Sequence, residues 1–216
     1  NPPPPPPPPP KVMPKPVTPI VSATVPSPDP RVGLKAGWWD AGQAAWNMNM
    51  ISTTPPSESS LGKNAEGKPI RWGDKDVRIP THSDLAFSGK YTVQGNYNGF
   101  EIYDISNPEE PALAQSYHCP AWQNDVSVFR NVLFVSVESN NSTLDWKQMT
   151  LDTVDTPRMR GVRIFDISDL DKPRQIAAVQ TCRGSHTHTL LVDPKDKANI
   201  YIYGSGTRAV RSAEEM

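Results

Sequence analysis

Four histidines, His82, His118, His186 and His188, carry the side chain that zinc and copper bind most often. His186 and His188 are separated by one residue, and alternate side chains on a β-strand point to the same face. Two imidazoles on one face suit a zinc or copper site. A histidine at a strand entry also hydrogen-bonds neighbouring backbone groups. No second His-x-His or His-x-x-His pair accompanies the first, so the sequence favours the structural role.

Two carboxylates, Asp104 and Asp166, stand in matching surroundings, each within an Ile-aromatic-Asp-Ile-Ser segment. Paired carboxylates hydrolyse glycosidic bonds when they lie close together, whereas an Asp that begins a turn accepts bonds from turn amides. Equivalent places in neighbouring repeats favour the second role. Ser185, close to the histidines, lacks the Gly-x-Ser-x-Gly elbow of a nucleophile. We therefore expect no catalytic residue, no cofactor and no enzymatic activity.

The elements that position these residues are repeated. Residues 99–106 read GFEIYDIS and residues 161–168 read GVRIFDIS, and Pro111 and Pro173 keep the same spacing. Duplication of a strand-and-turn unit indicates a modular β array.

The chain around each copy divides into short strands separated by turn residues. The first repeat has strands at 84–87, 90–95, 100–105 and 112–118. The second has strands at 126–129, 132–137, 162–167 and 175–180, with a polar insertion at 138–159. A partial third has strands at 189–192 and 200–203. Four antiparallel strands make one propeller blade. The sequence thus predicts an all-β fold of propeller-like blades, about two plus a partial third, not closed.

The repeat register places Asp84, Asp125 and His188 at equivalent entries of the innermost strand of their blades. The corresponding positions of a propeller crowd its central channel. Cys119 and Cys182 likewise follow a fourth strand in each repeat. A disulfide between them would lock adjacent blades, but equivalent atoms on neighbouring blades can exceed the Cα separation of about 6 Å that a disulfide tolerates.

The residues before the repeats differ in composition. Pro2–Pro10 form an unbroken run of prolines, which is expected to form an extended polyproline arm. Residues 37–50 are expected to form one short helix that Asp40 caps. The predicted domains are the arm (1–30), the helix and a long connecting loop (31–80) and the repeats (81–216). The residues predicted to bind a partner are Pro2, Pro3, Pro4, Pro5, Pro6, Pro7, Pro8, Pro9, Pro10, Trp38 and Trp39.

Charge and hydropathy exclude several classes of protein. The formal net charge of −1 gives no electrostatic basis for binding nucleic acid or an anionic membrane. The longest apolar stretch, 132–137, is too short to span a bilayer. The chain begins with Asn, which fits a mature product whose targeting segment was removed, and equally a trimmed chain.

Four segments (84–111, 160–173, 182–196 and 203–215) resemble the LVIVD-repeat proteins. This group is thought to form β-propellers and is common among secreted bacterial proteins. The resemblance covers about residues 31–216 and implies a periplasmic or extracellular location. Family members usually have more blades, so either more chain follows or something else covers the sheet edges. They also carry further cysteines, which argues against a bond between Cys119 and Cys182.

The function expected from these features is that of a non-catalytic interaction subunit. The proline arm would tether the repeats to other protein subunits of an extracytoplasmic assembly. A periplasmic accessory subunit of a bacterial respiratory or photosynthetic membrane complex fits this description. One alternative is a copper- or zinc-binding propeller enzyme centred on His186 and His188, similar to the selenium-binding methanethiol oxidases, whose channel histidines hold copper. Another is extracellular adhesion or surface assembly through open blade edges.

Overall fold

A computed structural model describes residues 17–36, 41–54, 57, 60, 82–138, 142–145 and 156–215. This part of the chain contains ten β-strands and one short 3₁₀ helix. They are β1 (His82–Ser88), β2 (Tyr91–Asn96), β3 (Gly99–Asp104), β4 (Ala112–His118), β5 (Gln123–Phe129), β6 (Val132–Val137), β7 (Gly161–Asp166), β8 (Arg174–Gln180), β9 (Thr187–Val192), β10 (Ile200–Ser205) and the helix Ala213–Glu215.

The strands form three antiparallel sheets in which each strand pairs with its neighbour in sequence. The first sheet has the order β1-β2-β3-β4, the second β5-β6-β7-β8, and the third contains β9 and β10. None of the sheets closes on itself. The prediction of an all-β fold with two four-stranded units and a partial third is confirmed.

The duplicated segments form the third strand of each complete sheet. Both strands carry an irregularity in their pairing with the fourth strand, between Ile102 and Tyr103 in β3 and between Ile164 and Phe165 in β7. The sequence match therefore extends to a matching backbone bulge, which re-aims the side chains that follow it.

Glycine begins both of these strands because the backbone there leaves no room for a side chain. Gly99 and Gly161 have φ angles of 154° and 141°, which L side chains rarely adopt. A Cβ atom on Gly99 would lie 1.9 Å from the carbonyl oxygen of Tyr117, and one on Gly161 would lie 2.0 Å from that of Val179. At these two positions the fourth strand comes so close to the third that only glycine fits.

The main hydrophobic core lies between the first two sheets. Its buried members are Ala86, Val93, Phe100, Ile102, Cys119, Val126, Leu133, Val135, Phe165 and Ile167. Three aromatic rings meet in it. Phe100 stacks on Tyr117 with ring centroids 5.1 Å apart, and both rings meet the edge of Phe165 at 5.2 Å. The second sheet thus inserts an aromatic ring against two from the first.

The described residues up to 54, together with 107–111, form a compact unit separate from the one that contains the ten strands. Within it, Ile20 pairs with Trp46 in a parallel bridge, and the indole Nε1 of Trp46 donates to Ser22 O at 3.0 Å. Asn47 follows with a left-handed φ of 53°.

The helix expected over 37–50 is wrong in its described part, because residues 41–50 contain no helix. Isolated short helices are marginal in water, and the chain here forms other bonds instead: Asn47 N–H donates to Ile20 O, and the Trp46 indole donates to Ser22 O. Residues 37–40, with Trp38 and Trp39, lie outside the described residues. So do Pro2–Pro10 of the arm and most of residues 52–76, which belong to the predicted connecting loop.

No helix in the described part of the chain is long and apolar enough to cross a membrane.

The glycine geometry predicts that Gly161→Ala destabilises the protein far more than Gly89→Ala. Gly89 also has a left-handed φ, of 58°, but nothing lies within 4 Å of its Cβ position, so its substitution costs about 1–2 kcal/mol. Gly161→Ala adds the overlap with Val179 O and is expected to cost about 4 kcal/mol or to prevent folding. Urea unfolding measures both, and equal losses would contradict the close approach.

Candidate functional site

The first strands of the three sheets line a shared groove of about 350 Å³. Its walls are formed by Asp84, Leu85, Ala86, Phe87, Val126, Ser127, Val128, His188, Thr189 and Leu190, which belong to β1, β5 and β9. β1 and β5 are also joined by Ser83 Oγ, which donates to Asn124 O at 3.0 Å. The strand-entry residues singled out in the sequence, Asp84, Asp125 and His188, therefore meet at this place.

His188 is held in a buried polar network. Its ring is completely buried, and Nδ1 lies 2.9 Å from Asp125 Oδ2 and 2.8 Å from Ser136 Oγ. Its backbone N–H donates to the same carboxylate oxygen at 2.8 Å. Ser136 Oγ in turn lies 2.9 Å from Ser185 Oγ. The network ties β9 to β5 and β6, and so attaches the third sheet to the second.

The two carboxyl groups of this network titrate in opposite directions. Partial burial, followed by the hydrogen bond with Asp125, raises the pKa of Asp84. Burial also acts to raise the pKa of Asp125, but hydrogen bonds from His188 and Asp84 outweigh it and lower that pKa. Two neighbouring carboxylates resist ionising together, so of the two carboxyls Asp125 is the one that ionises more readily.

This arrangement differs from a catalytic triad. In a triad the nucleophilic Ser contacts one ring nitrogen of His and the carboxylate contacts the other. Here Ser136 and Asp125 both contact Nδ1, and the buried Nε2 of His188 has no hydrogen-bond partner among the described residues. Ser136 is itself fully buried. The geometry holds the imidazole in place and does not activate Ser136 for attack.

His186 has a different set of partners. It precedes β9, so strand alternation does not align it with His188. Its Nδ1 lies 3.0 Å from Glu138 Oε1, an oxygen that also accepts the Thr207 hydroxyl and lies 3.7 Å from Arg208 Nε. His82 lies in β1, where burial lowers its pKa. Within the described ranges, no group of three or more His, Cys, Asp or Glu side chains is arranged to hold a metal ion.

Asp104 and Asp166 close the turns after β3 and β7. Each accepts the backbone N–H of the serine two residues on, Ser106 at 2.8 Å and Ser168 at 2.9 Å. Lys90 Nζ contacts Asp104 at 2.8 Å, and this hydrogen bond lowers the pKa of Asp104 to about 2. The turn-capping role predicted from the sequence is confirmed for both residues.

Sequence reasoning missed two buried charges at one repeat position, Glu101 in β3 and Arg163 in β7. Both are fully buried. Glu101 accepts the hydroxyls of Ser57 and Tyr103, and Tyr103 donates at 2.7 Å. One sequence signal could have revealed them: the two matching segments differ by Glu101 in the first and Arg163 in the second.

Arg163 binds the described part of the insertion. Its Nη2 donates to Ser142 Oγ at 2.8 Å and to Thr143 O at 2.7 Å. Its Nη1 donates to Gln175 Oε1 at 3.0 Å and to Leu144 O at 3.3 Å. One repeat position thus anchors a different loop segment on each sheet.

The two cysteines are free, Cys119 buried and Cys182 exposed. Burial raises the pKa of the Cys119 thiol to about 12, which leaves it protonated and unreactive at neutral pH. The inference against a mutual disulfide is confirmed.

The third sheet exposes large apolar side chains, namely Leu191, Tyr201 and Tyr203 at 47%, 48% and 61%. The hairpins of the second and third sheets can be aligned by the strand pair next to their loops. That pair is Val132 with Phe129 in the second sheet and Ile200 with Val192 in the third. In this register Tyr201 and Tyr203 take the places of Leu133 and Val135.

Leu133 and Val135 are both completely buried. The strand positions that form core in the second sheet therefore form surface in the third.

Comparison with known proteins agrees with the fold. A family model described as LVIVD repeat matches residues 81–119, which comprise the strands of the first sheet. The resemblance inferred from the sequence is confirmed for that segment. No curated protein and no solved structure gave a match to the chain.

The carboxyl pair predicts opposite effects for two isosteric substitutions. Asp125→Asn removes a charge that binds His188 twice and is expected to lower the free energy of unfolding by about 1–3 kcal/mol near pH 7. Asp84→Asn removes a carboxyl whose ionised form is disfavoured beside Asp125, so stability is expected to be unchanged or higher. Thermal unfolding from about pH 3 to pH 8 measures both variants.

The sign of each pH dependence follows from the pKa shifts. Asp125 has a lowered pKa in the folded protein, so its contribution is present above the ordinary value of 3.8 and is lost as the pH falls through the folded pKa. Asp84 has a raised pKa, so its contribution is present below 3.8 and is lost as the pH rises through the folded pKa. Equal destabilisation by the two variants at neutral pH would contradict the opposite pKa shifts of the two carboxyls.

Proposed function

We propose that the protein is a non-catalytic interaction subunit whose β-repeats bind other protein subunits of a larger assembly. The observation that carries this proposal is the third sheet. Its tyrosines occupy positions that are core in the second sheet, yet they are exposed. Contiguous apolar side chains on a surface mark a protein contact more often than they mark chemistry, and tyrosine is enriched among residues that dominate binding.

The polar residues support the same conclusion. His188, Ser136 and Asp125 bind one another, Asp104 and Asp166 cap turns, and His186 contacts Glu138. These candidate side chains are all engaged in contacts within the fold. Such engagement favours a protein that acts through its surfaces.

The proposed tether is the proline arm at residues 1–30. Proline restricts the backbone before binding, so docking of the arm loses little conformational entropy. LVIVD repeats occur in secreted proteins, which favours a periplasmic or extracellular assembly. An accessory subunit of a bacterial respiratory or photosynthetic membrane complex has these properties.

Deletion of residues 1–30 is expected to release the protein from its assembly. The full chain, expressed in its source, is expected to migrate with a large complex on a native gel, and the deleted chain to migrate as a small species. A matched control replaces Pro2–Pro10 with alternating Gly and Ser, which keeps the length but removes the restricted conformation. This control is expected to bind more weakly than the full chain. Undiminished co-migration of the deleted chain would overturn the tether.

Metal analysis of the same preparations separates the proposal from the metal-enzyme alternative. Copper or zinc at one equivalent per chain, lost in His188→Ala while the circular dichroism spectrum is kept, would refute the non-catalytic interpretation. We expect no stoichiometric transition metal in either protein.

A further inference from the structure

The free edge of β10 differs from the corresponding edges of the other sheets. β2 pairs with β1 and β3, and β6 pairs with β5 and β7, whereas β10 pairs with β9 alone in the described part of the chain. The free edge presents a row of backbone N–H and C=O groups, which is a template for another strand. Pairing at this edge would also cover the exposed side chains of the third sheet.

The two complete sheets show which strand fits such an edge. In both, the strand beside the second strand begins with Gly, has Ile at its fourth position and ends with an aromatic residue and Asp. Its Gly lies opposite the last residue of the second strand, as Gly161 lies opposite Val137, and its Asp opposite the first, as Asp166 lies opposite Val132. The first sheet has the same register, with Gly99 opposite Asn96.

Transferred to β10, this register places Gly opposite Ser205 and Asp opposite Ile200. The aliphatic fourth residue then faces Ile202, as Ile164 faces Phe134 in the second sheet, and the aromatic residue faces Tyr201, as Phe165 faces Leu133. Cross-strand aromatic and aliphatic pairs stabilise antiparallel sheets. Two side chains of β10, Tyr201 and Ile202, therefore meet apolar partners in this occupant.

We propose that the edge of β10 binds, in antiparallel orientation, an extended segment of a partner polypeptide with the pattern Gly-apolar-x-Ile-aromatic-Asp. This is strand addition, in which backbone hydrogen bonds give affinity and alternate side chains give specificity. The inference rests on the proposed function, because it names the kind of partner segment that the third sheet recognises. Leading glycine matters because any strand that follows must approach it closely, as β8 approaches Gly161.

A synthetic peptide of residues 160–169 tests the proposal directly. The fluorescently labelled peptide is titrated into the full chain and followed by anisotropy, and hydrogen exchange locates the bound peptide. We expect saturable binding at one peptide per chain and slower exchange of amides within 200–205. A scrambled peptide of the same composition is expected to give neither result.

Two exposed-residue variants provide matched controls. Tyr201→Lys puts a charge opposite the peptide aromatic residue and is expected to weaken binding about tenfold or more. Leu113→Lys makes the same kind of change at a residue of β4 that is 43% exposed, and binding is expected to be unchanged. Each variant is compared only after its circular dichroism spectrum matches the parent.

Three results would overturn the inference: absence of saturable binding, protection elsewhere than β10, or faster exchange in β6, which would mean that the peptide displaces β7. These results are independent of the arm deletion. A chain that joins a large complex but ignores the peptide would refute strand addition alone. A chain that binds the peptide but never enters an assembly would refute the proposed function.

Discussion

The packing of Phe165 against Phe100 and Tyr117 is the contact on which the rest of the structure depends. A single four-stranded sheet leaves both of its faces open to water, and the repeats become stable only when one sheet covers the face of the next. The three rings lie at the centre of that contact, with centroids 5.1–5.2 Å apart. Phe100 and Phe165 belong to the duplicated strands, so the repeat itself supplies the residues that join its copies.

The third sheet is attached by other means. Its link to the second sheet includes hydrogen bonds among His188, Asp125 and Ser136, which are directional and fix one orientation. The tyrosines of β10 take no part in this link and lie outside the core. Polar contacts thus hold the third sheet in place, while its apolar side chains stay exposed to a partner. A docking surface needs both properties.

The repeats conserve backbone geometry within the chain while changing the side chains that serve local purposes. Gly99 and Gly161 permit the same close approach, and Asp104 and Asp166 cap the same turn. Glu101 and Arg163, at one repeat position, instead carry opposite charges and bind different segments. A buried charge needs hydrogen-bonding partners, and here they come in part from a loop segment that differs between the two repeats. Each charged residue and its loop segment therefore form a pair that the other repeat lacks.

The sequence by itself determined the strands, their antiparallel order and the turn-capping role of Asp104 and Asp166, because alternation, turn residues and duplication are local properties of the chain. It was wrong about a helix at 41–50, where Trp46 pairs with Ile20, a residue far back in the chain. Only the tertiary structure decided the environment of His188, whose partners Ser136 and Asp125 lie 52 and 63 residues away, and the burial of Glu101 and Arg163. Such contacts depend on how sheets stack, and no pattern within a single strand records which distant loop will supply a hydrogen bond.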